Sequence, residues 1–277
     1  MTAPYSLLDR ITPVLLTHDE EQNIGRTLSR LGWARDIVVV DSGSRDGTLA
    51  ILRSDPRVRV FTRPFDTHAK QWRFAVMETG VATDWILRLD ADYSVSDALI
   101  DELRALQPAP DLAAYEISFD YAIFGHPLRS SLYPPNTVLL RRGCFFVHDR
   151  GHTEAWRVHG RVARLAGRIV HDDRKPTARF VSAQIRYMSR EAERLAAEPH
   201  SLKSRLRNHP PLMPIAAFVY AYFAKGLFLD GRAGLYYALQ RLVAESILAL
   251  IALEKRLSPS SDVAPSTRDV ARDEDAR

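Results

Sequence analysis

Trp85-Ile86-Leu87-Arg88-Leu89-Asp90-Ala91-Asp92 is a short apolar run that ends in two carboxylates one residue apart. Side chains on a strand alternate between faces, so residues two apart point the same way. Asp90 and Asp92 therefore converge just beyond the strand's carboxyl end. Converging carboxylates repel unless a cation lies between them. Hard oxygen ligands suit Mg²⁺ or Mn²⁺, and Mg²⁺ commonly takes one or two carboxylates together with phosphate oxygens. The pair alone equally fits a solvated turn, so the flanking sequence has to decide.

Upstream, Thr12 to Thr17 holds Pro13-Val14-Leu15-Leu16 and predicts a buried strand. Asp19 to Leu31 has helical spacing, with Ile24, Leu28 and Leu31 on one face and acids in the first turn. Asp36 to Asp41 is a continuous apolar strand of the parallel kind. Ser42 to Thr48 is a turn, and a short helix follows to Arg53. Arg57 to Phe61 predicts a third strand, His68 to Thr79 a helix, and Asp84 to Leu89 the fourth strand. Strand and helix in alternation imply a parallel sheet with right-handed crossovers. Ligands in such sheets bind beyond the carboxyl ends of the strands, where Thr17, Asp41, Asp90 and Asp92 fall.

Downstream, Val95 to Leu106 predicts a helix stopped by Pro108 and Pro110. Tyr115, Ile117, Phe119, Tyr121 and Ile123 alternate as in a strand, and Thr137 to Leu140 and Cys144 to Val147 are short strands. Val162 to Leu165 and Arg168 to Val170 read as a hairpin around Ala166-Gly167, and Pro176 to Ala197 as a long charged helix. Leu212 to Ala224 is apolar and aromatic, Asp230-Gly231-Arg232 is a turn, and Leu235 to Leu253 is a second apolar helix broken by Gln240, Arg241 and Glu245. Neither helix is a clean run of about 20 apolar residues. Both are expected to lie in a membrane interface, with Lys203, Arg205 and Arg207 just upstream. The alternative is a helical hairpin packed on the rest of the chain or on a second copy. From Ser258 the sequence is polar and reads as disordered.

Of the 277 residues 46% are hydrophobic, enough for a sizeable core. The net charge is only +4, but arginines crowd between Arg141 and Arg179. That favours phosphates, acidic glycans or a membrane surface. No nucleic-acid-binding motif accompanies them, so nucleic acid is not an expected partner. The lone Cys144 excludes an intrachain disulfide and a thiolate zinc cluster. Met1 to Arg10 lacks the pattern of a signal peptide, so a cytoplasmic chain is expected.

Thr17-His18-Asp19-Glu20-Glu21-Gln22-Asn23-Ile24, then Val39-Val40-Asp41-Ser42-Gly43-Ser44-Arg45-Asp46-Gly47-Thr48, then Leu89-Asp90-Ala91-Asp92 resembles, in order and spacing, the inverting glycosyltransferase family 2 of GT-A fold. Gly151-His152-Thr153-Glu154 and Gly167-Arg168-Ile169-Val170-His171 resemble the V-H-E and G-x-[IL]-x-H elements of its lipopolysaccharide-core glucosyltransferase-like branch. Phe228 to Arg232 resembles that branch's C-terminal region. The chain departs from the family at Asp19, where Asn is usual, and at His152, displaced by one position. The implied fold is α/β: a GT-A, Rossmann-like, mixed but mainly parallel sheet flanked by helices, with a C-terminal helical extension. The implied division is a catalytic domain over 10–180, in halves 10–106 and 107–180, a helical region over 181–257 and a tail over 258–277.

The resemblance also implies roles. Thr17 and Glu20 contact the nucleobase, and Asp41 the base or ribose. Lys70 reaches the diphosphate, with Arg73 as competitor. Asp92 ligates a Mg²⁺ or Mn²⁺ ion directly, while Asp90 ligates it too, through water, or touches ribose. His171 is an additional metal ligand. Glu154 is the general base, with Asp149 and Asp120 as rivals. Bland roles stand beside these: a helix N-terminal acid for Glu20, a turn residue for Asp41, an arginine salt bridge for Glu154, a capped histidine beside Asp172 and Asp173 for His171. The implied reaction is hexose transfer from a nucleotide sugar, UDP-linked first, to a cell-envelope glycan or glycolipid such as lipopolysaccharide core, on the inner face of the cytoplasmic membrane. Polyprenyl-phosphate, capsule or exopolysaccharide transfer is the nearest alternative, and a non-catalytic sugar-nucleotide-binding assembly protein the next. A homodimer is compatible with the apolar C-terminal region. A nucleotidyltransferase is opposed by the acidic first loop.

Overall fold

Four parallel strands carry the apolar runs of the first half of the chain. The computed structural model describes residues 6–150, 153–197 and 212–258, with backbone alone at Asp149, Arg150 and Thr153. The expectations for His152, for the Asp149 side chain, for Lys203, Arg205 and Arg207, and for the tail after Ser258 lie outside the described residues. In chain order the structure runs β1 (Ile11–Thr17), α1 (Ile24–Ser29), β2 (Ile37–Asp41), α2 (Thr48–Ser54), β3 (Val58–Thr62), α3 (His68–Met77), β4 (Trp85–Asp90), β5 (Tyr93–Val95) and α4 (Asp97–Ala105). It continues through β6 (Leu112–Ile123), β7 (His126–Pro127), β8 (Asn136–Arg141), β9 (Phe145–Arg150), β10 (Thr153–Val158), β11 (Arg161–His171) and α5 (Thr177–Ala197). Two further helices, Met213–Val219 and Gly231–Leu257, close the described chain.

The main sheet has the order β3-β2-β1-β4-β8-β6-β11-β5. Strands β1 to β4 pair in parallel, with Leu15 opposite Val39 and Leu89, and Thr17 opposite Asp41. Beyond β4, β8 runs antiparallel to β4 and β6, β11 parallel to β6, and β5 antiparallel to β11. This is the expected mixed α/β sheet. Alternation explains the continuous apolar runs: a strand buried on both faces needs an apolar residue at every position. Leu15, Val39, Leu87 and Leu89 enter one core with Leu99 and Ile169. Val14, Val38, Val40 and Ile86 enter the other, with Ala69, Trp72 and Ala75 of α3.

Several local expectations are corrected. The first helix starts only at Ile24, because the N–H groups of Asp19, Glu20 and Glu21 are taken by Ser44 Oγ (2.7 Å), Thr48 Oγ1 (2.7 Å) and Asp46 Oδ2 (3.2 Å). Val95 belongs to β5, and α4 begins behind the Ser96 cap. The hairpin around Ala166-Gly167 is instead one strand, β11, with a register shift against β6 between Arg164 and Arg168. Gly167 serves close packing: a Cβ there would lie 2.4 Å from Leu99 Cα. Strand β10, paired antiparallel with β9, was not anticipated. Asp230-Gly231-Arg232 is not a turn between helices, since a 3-10 turn over Leu227–Asp230 leads directly into the helix that starts at Gly231.

Candidate active site

Asp90 is the last residue of β4 and Asp92 follows it into β5. Asp90 is open to solvent and Asp92 is buried. The protein crowded around Asp90, and next the Asp92 charge, push its carboxyl above the ordinary range. Burial also acts to raise Asp92, but His171 outweighs it by charge and hydrogen bond, with Lys175 adding, and holds Asp92 at about 2. His171 Nε2 lies 3.2 Å from Asp92 Oδ2. Burial acts to lower His171, yet Asp92 and then Asp90 raise it above the ordinary imidazole value. Its buried Nδ1 has no hydrogen-bond partner. Rings of Tyr121, Tyr133 and Tyr93 surround the imidazole at 4.6, 5.1 and 5.2 Å. The topology explains the meeting: β5 pairs with β11, and His171 lies opposite Tyr93.

Beside this cluster the Glu20 carboxylate accepts from Lys175 Nζ at 2.6 Å and from Asn23 Nδ2 at 2.9 Å. Burial pushes Glu20 up to about 7, against the pull of Lys175. Lys175 stays charged despite its own burial, held by Asp92, Glu20 and Asp173. Arg26 pairs with Asp172 at 2.8 Å and reaches Asn23 Oδ1 at 2.6 Å. Arg179 of α5 donates to the carbonyls of Asp19 (2.6 Å) and His18 (2.8 Å). The segment after β11 is thus fastened onto the loop after β1.

Asp41 is fully buried. Its Oδ1 accepts from Gly43 N and Ser44 N, both at 2.9 Å, and its Oδ2 from Ser44 Oγ, so it shapes the loop after β2. Thr17 sits beside it at the end of β1, its Oγ1 buried without a partner. Lys70 stands away from the acidic pair in its contacts: its Nζ lies 3.7 Å from Asp66. Arg73 donates to Val147 O at 3.1 Å.

Glu154, near the start of β10, lies 3.5 Å from Arg88 Nη1. The salt bridge named as its bland role is therefore present, but its partner is buried and belongs to the strand that carries Asp90. Arg88 also donates to Thr137 O (2.9 Å) and Asn136 Oδ1 (2.7 Å), and stacks over Trp156 at 4.8 Å. Asp120, a rival base, pairs with Arg168 at 2.6 Å. Arg88, Lys175 and the tyrosines escaped sequence reasoning. Arg88 alone carried a usable signal, being charged inside an apolar strand and sharing a face with Asp90.

Among the described residues, no three carboxylate, imidazole or thiol side chains are gathered round one point in advance. The donor chemistry nonetheless fits a hard divalent cation. Asp90 is accessible and resists ionisation beside Asp92, which is the strain a cation relieves. His171 and Lys175 are the groups that draw the Asp92 carboxyl down. A metal bound by His171 has to release its proton.

The Glycosyl transferase family 2 model matches residues 14–193. A 115-residue stretch is 34% identical to an uncharacterized glycosyltransferase of Rickettsia bellii, covering 40% of this chain and 38% of that protein. A 137-residue stretch is 28% identical to the lipopolysaccharide core biosynthesis glycosyltransferase LpsC of Rhizobium meliloti, covering 48% of each. The chain thus spans less than half the length of either relative. Residues 1–349 of TarS from S. aureus, solved in complex with UDP-GlcNAc, align over 89% of this chain and 91% of that one, at 13% identity and a TM-score of 0.46. The family match runs from β1 into α5, more than half of the chain, and takes in the strands that carry Thr17, Asp41, Asp90, Glu154 and His171. The chain belongs to glycosyl transferase family 2.

Proposed function

We propose that the chain is an inverting glycosyltransferase that moves a hexose from a nucleoside-diphosphate sugar, UDP-linked first, to a hydroxyl of a cell-envelope glycan. One observation carries this: an accessible carboxylate beside an ionised one, at the carboxyl end of a central parallel strand, with Glu154 fixed by Arg88 of that same strand. Thr17 and Asp41 end β1 and β2, and Glu20 lies in the loop after β1, on the side where a base and ribose bind in parallel sheets. A basic side chain suits the diphosphate; Lys70 remains the proposed one, and Lys175 stands nearer the acidic pair. Asp90 and Asp92, with His171, would hold the Mg²⁺ or Mn²⁺. When bound, that ion neutralises charge gathering on the leaving diphosphate.

Glu154 accepts the proton of the acceptor hydroxyl. The freed oxygen bonds to the anomeric carbon from the face opposite the diphosphate. The bond from that carbon to the phosphate oxygen breaks, and its electron pair leaves with the nucleoside diphosphate. Arg88 holds the Glu154 carboxylate in place through this single displacement. The lipopolysaccharide-core name of the Rhizobium relative supports a cell-envelope acceptor. The apolar helices over 212–257 support contact with a membrane.

Equilibrium binding of UDP-, GDP- and TDP-sugars to the full chain, in Mn²⁺ and in EDTA, tests this reading. Mn²⁺ should tighten one donor at least about tenfold, and Asp92→Ala should erase that gain. Glu154→Gln should bind the donor normally and lose turnover by about 10²–10⁴-fold. Equal affinity for every donor with and without cation overturns the proposal.

A further inference from the structure

Among its described residues the C-terminal helical region leaves an apolar face uncovered, and we propose that this face seats the chain on the surface of an anionic phospholipid bilayer. Ile215, Val219 and Phe223 follow one another at intervals of four, through the Met213–Val219 helix and the π-helical turn Tyr220–Ala224. Phe228 and Leu229 continue the patch, with the Phe223 and Phe228 rings 6.2 Å apart. All five side chains are between 46% and 60% exposed. A contiguous set of large apolar side chains open to water marks a contact surface.

The face is held rigid from behind. Ala221, Leu227, Tyr237 and Ala238 are buried together with Ile123 and Leu128. Arg129 Nε meets Asp230 Oδ1 at 2.7 Å, and Leu132 N donates to the Tyr237 hydroxyl at 3.0 Å. The exposure therefore belongs to a fixed surface.

Charge selects the occupant. From Leu212 to Ala244 the sequence holds one acid, Asp230, against Lys225, Arg232 and Arg241. Asp230 is neutralised by Arg129. Arg232 is exposed three residues after Leu229, and Lys225 lies 5.7 Å from the Tyr220 ring. Exposed apolar and aromatic side chains in a segment richer in cations than in acids match the acyl–headgroup boundary of an anionic leaflet. A two-fold pairing of the same face would set those cations against one another.

The Leu227–Leu257 stretch is long and apolar enough to span a membrane, and Gly234, Tyr237, Ala238, Ala244, Glu245 and Leu248 of its helix are buried; the proposed seat is the face that runs from Ile215 to Leu229. The seat also borders the candidate active site, because the Tyr237 ring lies 5.0 Å from Tyr121, whose ring lies 4.6 Å from His171. Together with the glycosyltransfer reading, on which this clause alone rests, the acceptor is a glycan carried on lipid.

Sedimentation of the full chain with phosphatidylcholine vesicles, and with equal parts phosphatidylcholine and phosphatidylglycerol, tests the seat. The chain should pellet with the anionic vesicles, and less as salt rises. Phe223→Ser combined with Phe228→Ser and Leu229→Ser should weaken pelleting at least about tenfold, with circular dichroism and Mn²⁺-dependent donor binding unchanged. Arg232→Gln should weaken it chiefly at low salt. No pelleting by the unmodified chain, or undiminished pelleting by a folded triple variant, overturns the proposal. So does conversion of a dimer to a monomer by the triple variant, which would give the face to a second copy. Donor binding is read separately, so loss of the glycosyltransfer reading and loss of the membrane seat are distinguishable.

Discussion

Glu20 sits where burial and charge oppose each other. Its carboxyl moves from 4.5 to about 7 in the folded chain, with burial the largest cause. An acid with a raised folded pKa binds its proton longer in the native state than in the unfolded one. Stability is therefore greatest below pH 4.5 on this account and falls as pH climbs to about 7, by at most ~3 kcal/mol. Glu20→Gln should flatten the melting temperature over that window, and calorimetry from pH 4 to 8 reads it; parallel curves for the two proteins would remove Glu20 as the cause. Asp92 is the opposite case, held at about 2 by His171 in spite of burial. Glu20 and Asp92 thus shift in opposite directions: burial prevails at the first, and the pull of His171 at the second.

At the scale of elements, β11 shows what a glycine can be for. Its Gly167 lies against α4, where an added Cβ would meet Leu99 Cα at 2.4 Å and Leu99 N at 2.8 Å. Backbone atoms cannot turn aside as a side chain can. Gly167→Ala should therefore cost about 2–4 kcal/mol through displacement of α4, seen as a lower urea midpoint. Because β11 ends in His171, the same variant should disturb the His171–Asp92 contact, giving a shifted imidazole resonance. An unchanged midpoint would show that α4 can retreat without loss. Strand β10 is an element whose neighbours fix its function: paired to β9, it carries Trp156 against Arg88 and sets Glu154 beside the cleft.

Across the described residues, one apolar cluster runs from Leu7 to Ile169 and joins the segment 10–106 to the segment 107–180. Strand β8 lies between β4 and β6, so neither segment has the complete sheet alone. The helices after Met213 add a third cluster on Ile123 and Leu128. Heating the full chain should give one cooperative transition. Two well-separated transitions would show that the C-terminal helices form an independent domain.

Much was legible in the chain itself. A strand buried on both faces must be apolar throughout, so Ile37 to Val40 and Trp85 to Leu89 announced their parallel sheet. Period two then predicted Asp90 and Asp92 on one side of its carboxyl end, whereas the strand stops at Asp90 and Asp92 falls buried in the turn before β5. The spacing of these short signals set the family as well. Contacts distant in sequence were hidden. Local pattern made a hairpin of Ala166-Gly167, because nothing nearby reveals that Leu99 presses on that glycine. Glu154 read as a general base or as the partner of some arginine, but nothing near it in sequence pointed to Arg88 as that arginine. Lys175 looked like one of many basic residues until the fold set it between Glu20 and Asp92. Alternation and apolarity are properties of neighbours along the chain, whereas burial, pairing and charge balance arise only when distant segments share one space.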